Sequence, residues 1–511
     1  MTPRHHLLSK SIAFAMVAAG FIAHALYFNF LNDDAFISFR YSDNLVRHGE
    51  LVFNLGERVE GYTNFLWTVA MAGVISVGLD PAIWSRVISI ALGITTLFLV
   101  MNFMAKLRGK SSLSDVVPAA LLAASPAYAC WATGGLETQL FTTLAALAVF
   151  DYITGSLGES KALLRSGFWF ALASMTRPEG MLLLGLVGVY HMGAMFSEKR
   201  LKPSLLEFKW AGVFLIVFVP FFAWRWTYYG WPFPNTYYVK TGADGFWSPG
   251  LRYLLSWINT HGLWVLPILG YIGWRKATPA TKRFLGLSTL VLLGLSIHVA
   301  RVGGDFMALH RFLVPLMPLV SLIAALGLVL IFARVWAFKP GLCGCVIVGC
   351  LGISSVHIAK IDSHAMSTGS DQGVDRIGWL KTFHEQCTAI GQWLAKNAQP
   401  DMSIATTAAG IIPYYSRLYT VDILGLNDEW VAHNVPARGQ RPGHTKSAPL
   451  SYILKKDVDF LIYHPTISEK EPRRSGAERA AWARRGYTWK TIKVDGLEPP
   501  WWGVWVRNRD R

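Results

Sequence analysis

Apolar residues run in long blocks near 11–31, 63–79, 82–104, 113–131, 138–154, 162–176, 180–197, 209–229, 251–272, 283–300, 311–334 and 341–359. Most reach or approach the ~20 residues that a helix needs to cross a bilayer. Short clusters rich in Gly, Pro and Asn separate the blocks, as loops do. From about Ile361 the pattern changes. Residues 374–397 read as an amphipathic helix, and 446–456 and 470–485 as further helices. Runs at 402–406, 418–423, 458–463, 487–494 and 502–507 read as short strands. The pattern predicts a polytopic α-helical membrane domain over 1–360 and a soluble α/β domain over 361–511.

Composition agrees. Of the 511 residues, 52% are hydrophobic and 16% charged, with mean hydropathy +0.34. A soluble chain carries about 25% charged residues. The formal charge of +16 raises the possibility of a nucleic-acid surface. Cytoplasmic loops that collect Lys and Arg explain it better, so no nucleic-acid partner is expected. Arg4 and Lys10 place the N-terminus inside. If 63–79 lies at the interface or re-enters rather than crossing, every basic loop also falls inside: Lys106/Arg108/Lys110, Lys161/Arg165, Lys199/Arg200/Lys202/Lys209, Arg275/Lys276/Lys282/Arg283 and Arg334/Lys339. That topology has about eleven spans and an external C-terminal domain. The first apolar run continues past Ala23-His24-Ala25 and reads as an uncleaved span. Cys130, Cys343, Cys345, Cys350 and Cys387 offer neither a zinc spacing nor a disulfide framework.

This topology gathers the polar motifs on the outer face. Asp33 and Asp34 follow the first span and open an amphipathic stretch, 34–48. Acidic residues there suit helix capping. They equally suit an acid/base pair, or ligands for a divalent metal such as Mg or Mn. Two adjacent carboxylates repel, which raises one pKa. Arg40 shares their helix and is a candidate phosphate ligand. Glu60, Tyr62 and Asn64 follow in the same loop, and Glu137 sits in a short external turn. Arg177 and Glu179 flank Pro178; they read as an ion pair locking the turn or as a guanidinium held near a phosphate. The aromatic run 225–240 contains Asn235 and Lys240. It suits an interfacial belt or a site for a sugar and a lipid phosphate. Asp305, His310 and Arg311 follow Gly303-Gly304 without a nucleotide-binding glycine motif. His444 and Lys446 close the set in the soluble domain.

The stretch from Asp33 to Trp67, DDAFISFRYSDNLVRHGELVFNLGERVEGYTNFLW, resembles the membrane arabinofuranosyltransferases and related bacterial proteins linked to flagellar-motor control or virulence. GGLET at 134–138, TRPEG at 176–180, PNTYYVK at 234–240, VGGDFM at 302–307, PYYS at 413–416, DILGLND at 422–428 and GHTK at 443–446 continue the likeness in order. The resemblance implies a GT-C glycosyltransferase fold in a bacterial inner membrane, with a periplasmic C-terminal domain. It implies a polyprenyl-phosphate sugar donor, typically decaprenyl-phosphoryl-D-arabinofuranose, and a glycan or glycoprotein acceptor. The family's acidic motif maps onto Asp33 and Asp34. On this reading Arg40, Arg177, Lys240 and Arg311 are donor-phosphate candidates. Glu60, Tyr62, Asn64, Glu137, Glu179, Asn235, Asp305, His444 and Lys446 are substrate-binding candidates. The alternatives are transfer of another lipid-linked sugar such as mannose, a non-catalytic scaffold of the same fold, and a transporter, whose broken helices would instead meet at the midplane.

Overall fold

The computed structural model describes residues 3–509 apart from 241–245, 276, 339, 440 and 442; the side chains of 3–7, 335–348 and 351 also lie outside the described residues. Lys276, Lys339 and the side chains of Arg4, Cys343 and Cys345 therefore fall outside them. The chain forms two compact units, each assembled from three stretches.

The first unit comprises Met1–Asn29, Ser85–Phe222 and Phe246–Ile377. Among the described residues, six helices are long and apolar enough to cross a membrane: Leu8–Phe28, Pro81–Arg108, Glu179–Ser197, Leu205–Tyr229, Pro279–Arg301 and Arg311–Arg334. The protein is a multi-pass membrane protein. Two runs that read as single spans are broken. Residues 113–131 become a short 3₁₀ helix at Leu113–Val116 and α-helices Val117–Ala123 and Pro126–Cys130. Pro126 cannot continue a helix, and Ser125 caps the next one by accepting from the Tyr128 N–H. Residues 251–272 become helix Trp247–Thr260 and helix Leu266–Arg275, joined through Gly262 at φ 60°.

The second unit comprises Phe30–Trp84, Ala223–Gly245 and Gly378–Arg511. The composition change at Ile361 lies inside the helix Pro340–Met366, and the unit boundary comes later, at Gly378. Within the first stretch, 63–79 forms the twelve-residue helix Phe65–Ser76. At ~1.5 Å per residue it is about 18 Å long, short of the ~30 Å hydrocarbon core.

The unit's main sheet has strands β1 (Ser403–Thr406), β2 (Tyr419–Asp422), β3 (Phe460–Ser468), β4 (Tyr487–Lys493) and β5 (Trp501–Arg507). They fall on the five runs expected as strands, with β3 extending to Ser468, beyond the expected end at 463. Their order is β2-β1-β3-β5-β4. β1 pairs parallel with β2 and β3, while β5 pairs antiparallel with β3 and β4. Ala405, Val421, Leu461, Tyr487 and Trp505 fill its core with Val431 and Ile453. A second core of Ile37, Tyr41, Phe53, Tyr62, Tyr229 and Ala409 draws on all three stretches. Apolar burial thus makes the loop after the first span part of the same unit as the sheet.

Candidate active site

The helix Asp33–His48 is specified at both ends. The Asn32 side chain accepts the Asp34 N–H at 2.8 Å, and Gly49, at φ 72°, donates its N–H to the Leu45 carbonyl. Its cap is therefore Asn32, which frees the Asp33 carboxylate for another task. Asp33 Oδ2 accepts from the Gly410 N–H at 3.0 Å, and Oδ1 from the Ile411 N–H at 2.8 Å. Position 410 must be glycine, because a Cβ there would stand 1.8 Å from the Asp33 carbonyl oxygen. Asp33 and Asp34 are both partly exposed. Burial, with the charges of Asp34 and Asp422 in support, pushes the Asp33 pKa up to about 7 against the pull of the two amides.

Arg40 lies one to two turns on and is buried. Its Nε donates to the Phe53 carbonyl at 2.6 Å, Nη1 to Pro413 at 2.5 Å and Nη2 to Leu418 at 2.8 Å. Nη2 also reaches Asn54 Oδ1 at 3.2 Å. Burial lowers its pKa to about 9. With its donors spent on protein oxygens, Arg40 ties the helix to 413–418 rather than holding a phosphate.

Glu60, Tyr62, Asn64, Asn235 and Lys446, all expected to bind substrate, also make hydrogen bonds within the protein. Glu60 receives Arg225 Nε at 3.1 Å on both oxygens, and Arg225 Nη2 bonds it as well. Arg225 Nη1 donates to the Pro232 carbonyl at 2.7 Å. The hydroxyls of Tyr62 and Tyr229 are 3.0 Å apart. Asn64 exchanges hydrogen bonds with Ser38, at 3.0 and 3.1 Å. Asn235 Nδ2 donates to the carbonyls of Gly425 and Leu426, each at 2.9 Å. The buried Asp422 accepts from the backbone and side chain of Asn427 at 2.9 and 3.0 Å. Burial raises its pKa to about 6. Thr445 Oγ1 donates to Val239 O at 2.7 Å, which sets His444 and Lys446 beside the Lys240 end of helix Asn235–Lys240. Lys446 Nζ donates to Ala432 O at 2.6 Å.

In the first unit, the motifs at 134–138, 176–180 and 303–311 converge. Arg177 Nη1 bonds Glu137 at 2.7 Å and Nη2 bonds Glu179 at 2.9 Å. Its Nε also reaches Glu179, at 3.3 Å. Arg311 Nε bonds Asp305 at 2.7 Å. The guanidinium carbons of Arg177 and Arg311 lie 5.2 and 5.1 Å from the Phe312 ring centre, and Arg311 also lies 5.4 Å from Trp131. The difference is in what remains: among the described residues, neither terminal nitrogen of Arg311 has a hydrogen-bond partner.

Among the described residues, no three His, Cys, Asp or Glu side chains are grouped to hold a metal. Asp33 with Asp34 is a pair, and both Asp33 oxygens already accept amides. That is a poor fit for a cation needing several oxygen ligands. Arg225 and Gly410 were not singled out from the sequence. A lone cation near the end of an apolar helix signals Arg225. Gly410 carries no comparable signal.

Residues 378–505 match the model of a domain of unknown function (DUF8728). The chain is 28% identical over 329 residues to a terminal beta-(1->2)-arabinofuranosyltransferase of Corynebacterium glutamicum, covering 56% of this chain and 46% of that protein. It is 28% identical over 250 residues to the protein of the same description in Mycobacterium tuberculosis, covering 46% and 39%. The chain thus spans less than half the length of these curated relatives. The structure of ArnT from Cupriavidus metallidurans bound to undecaprenyl phosphate superposes with TM-score 0.62 at 14% identity, over 97% of each chain. The apo form gives 0.59 at 13% identity, also over 97% of each chain. The chain has the GT-C glycosyltransferase fold and is similar in sequence to terminal β-(1→2)-arabinofuranosyltransferases.

Proposed function

We propose that this protein is a glycosyltransferase that moves arabinofuranose from a polyprenyl-phosphate donor, of the decaprenyl-phosphoryl-arabinofuranose type, to a hydroxyl of a cell-surface glycan or glycoprotein. The reaction takes place at the outer face of a bacterial inner membrane, with the N-terminus cytoplasmic and the C-terminal α/β domain, 361–511, periplasmic. The arabinofuranosyltransferase relatives support the sugar, and the undecaprenyl phosphate held by ArnT supports a lipid-linked donor.

The observation that carries this reading is the anchoring of Asp33 by the Gly410 and Ile411 amides beside Asp34, with a pKa raised to about 7. A carboxylate so poised is suited to general-base work. In the reaction the acceptor oxygen bonds to the anomeric carbon as the bond from that carbon to the phosphate oxygen breaks. The acceptor proton passes to Asp33 or Asp34, and the polyprenyl phosphate leaves as its anion. Arg311 is the favoured phosphate partner, because Asp305 fixes its Nε while its terminal nitrogens remain available. Arg177 is engaged by two glutamates and contributes mainly by position. Lys240 is an exposed cation of the 234–240 motif.

The test is transfer from synthetic polyprenyl-phosphoryl-arabinose by the full chain in nanodiscs. Transfer is expected, and it is expected to fall in Asp33→Asn and Asp34→Asn. If both variants match the wild type, the carboxylate assignment is wrong. Transfer from a mannose-linked carrier alone would reassign the sugar, and no transfer from any carrier would favour a scaffold.

A further inference from the structure

Around the Gly303-Gly304-Asp305 turn, three side chains carry polar atoms that have no partner among the described residues. Arg311 is buried, held at Nε by Asp305 and set against Trp131, and among the described residues neither terminal nitrogen is bonded. The Tyr253 hydroxyl is buried and has no acceptor for its proton among the described residues. The Phe312 backbone N–H, Asp305 and Arg311 all lie within electrostatic reach of its oxygen. His310 is also buried; its Nε2 lies 3.2 Å from Ser256 Oγ, and its Nδ1 has no partner among the described residues. The three belong together. The Tyr253 and His310 rings are 5.1 Å apart, and Tyr253 packs on Gly304.

Buried polar atoms are nearly always hydrogen-bonded, so several orphans in one place point to an absent ligand. The backbone agrees. Leu309 and His310 are consecutive non-glycine residues at φ 59° and 51°. Side chains adopt that region at a cost, and it is met where a functional group must be aimed. When Ser256 Oγ donates to His310 Nε2, the Nδ1 carries a hydrogen. The cluster then presents a guanidinium fork, a phenol and an imidazole N–H, all donors. Such a set recognises a tetrahedral oxyanion.

We infer that Tyr253 Oη and His310 Nδ1, with the terminal nitrogens of Arg311, form the binding site for the phosphate of the lipid-linked donor. This rests on the transferase reading above and adds two residues to it. Tyr253 and His310 are binding residues that stay bonded to the phosphate as it becomes the leaving group.

The experiment uses the full chain in phosphatidylcholine nanodiscs and compares decaprenyl phosphate with decaprenol. The wild type should bind the phosphate at least tenfold more tightly. Tyr253→Phe keeps the ring and removes the hydroxyl; His310→Asn tolerates the left-handed backbone but is too short to reach. Each should cut the phosphate preference about tenfold, as expected for one hydrogen bond to a charged group, without lowering Tm. If the wild type prefers the phosphate but both variants keep that preference, the inference fails and the transferase reading stands. If the wild type shows no preference yet still transfers arabinose, the phosphate site as a whole is overturned. If phosphatidylglycerol competes as well as decaprenyl phosphate, the site holds ordinary lipid phosphate and the inference is overturned.

Discussion

The surroundings of Asp33 and of Arg311 use charge in opposite ways. Asp33 is fixed by backbone: two amide donors grip both carboxylate oxygens, and a glycine makes the approach possible. Arg311 is fixed by side chains: a carboxylate takes one nitrogen, an indole supports the plane, and the fork is left unspent. A charge clamped by backbone has a set orientation and a shifted pKa. A charge clamped at one end keeps capacity for a ligand. Arg40 and Arg177 show the other outcome, since their nitrogens are taken up by protein oxygens.

Removing the carboxylates should have the largest effect. Asp34→Asn should cost about 10²–10⁴-fold in transfer rate if Asp34 is the base, with the fold intact by circular dichroism. Asp33→Asn should lower the rate and also destabilise, because an amide offers one acceptor oxygen where two backbone N–H groups need partners. The stability loss should be about 1–3 kcal/mol in a denaturant titration. A rate loss in Asp33→Asn with unchanged stability would show that the amide grip contributes nothing.

Arg177→Met should destabilise by about 3–5 kcal/mol, since it leaves Glu137 and Glu179 without their cation. Arg311→Lys should instead raise the donor KM about tenfold or more with a small change in Tm, because a lysine loses the planar fork. Equal stability losses in the two variants would erase the distinction between them.

A pH titration sharpens the Asp33 half. Its pKa is raised from the ordinary 3.8 to about 7 in the folded chain. The native state therefore binds the extra proton between those values, and stability contributed by this group falls as pH rises from about 4 to 7. Asp33→Asn should flatten that slope. If Asp33 is the base, transfer should rise with pH through about 7. The smallest effect belongs to Tyr62→Phe, which removes the contact between the Tyr62 and Tyr229 hydroxyls. A loss of about 0.5–1.5 kcal/mol with little change in kcat is expected.

Much of the fold was legible because it rests on local pattern. The five strands, the short helix at 65–76 and the capped helix at 33–48 all follow from periodicity and end signals. Breaks within 113–131 and 251–272 were less visible, since Pro126 and Gly262 interrupt runs whose hydropathy continues. The motifs carrying charge were also legible. Their uses were not: Arg40, Glu60 and Asn64 have the residue types of a binding site, yet their hydrogen bonds go to the protein. Tyr253 looked like one aromatic among many.

Residue order alone is enough to show that the chain enters a membrane, roughly where most of its long helices and its sheet strands lie, and that Asp33 and Asp34 open a helix. Those properties depend on hydrophobicity, period and capping, which act over a few residues. Only the tertiary structure decided that Asn32 caps that helix while Asp33 caps the one beginning 378 residues later at Ile411. Only it showed that the loop after the first span packs in one unit with the sheet, and that Arg311 keeps its fork while Arg40 does not. Hydrogen-bond satisfaction is settled by whichever groups meet in space, and sequence separation places no limit on that meeting.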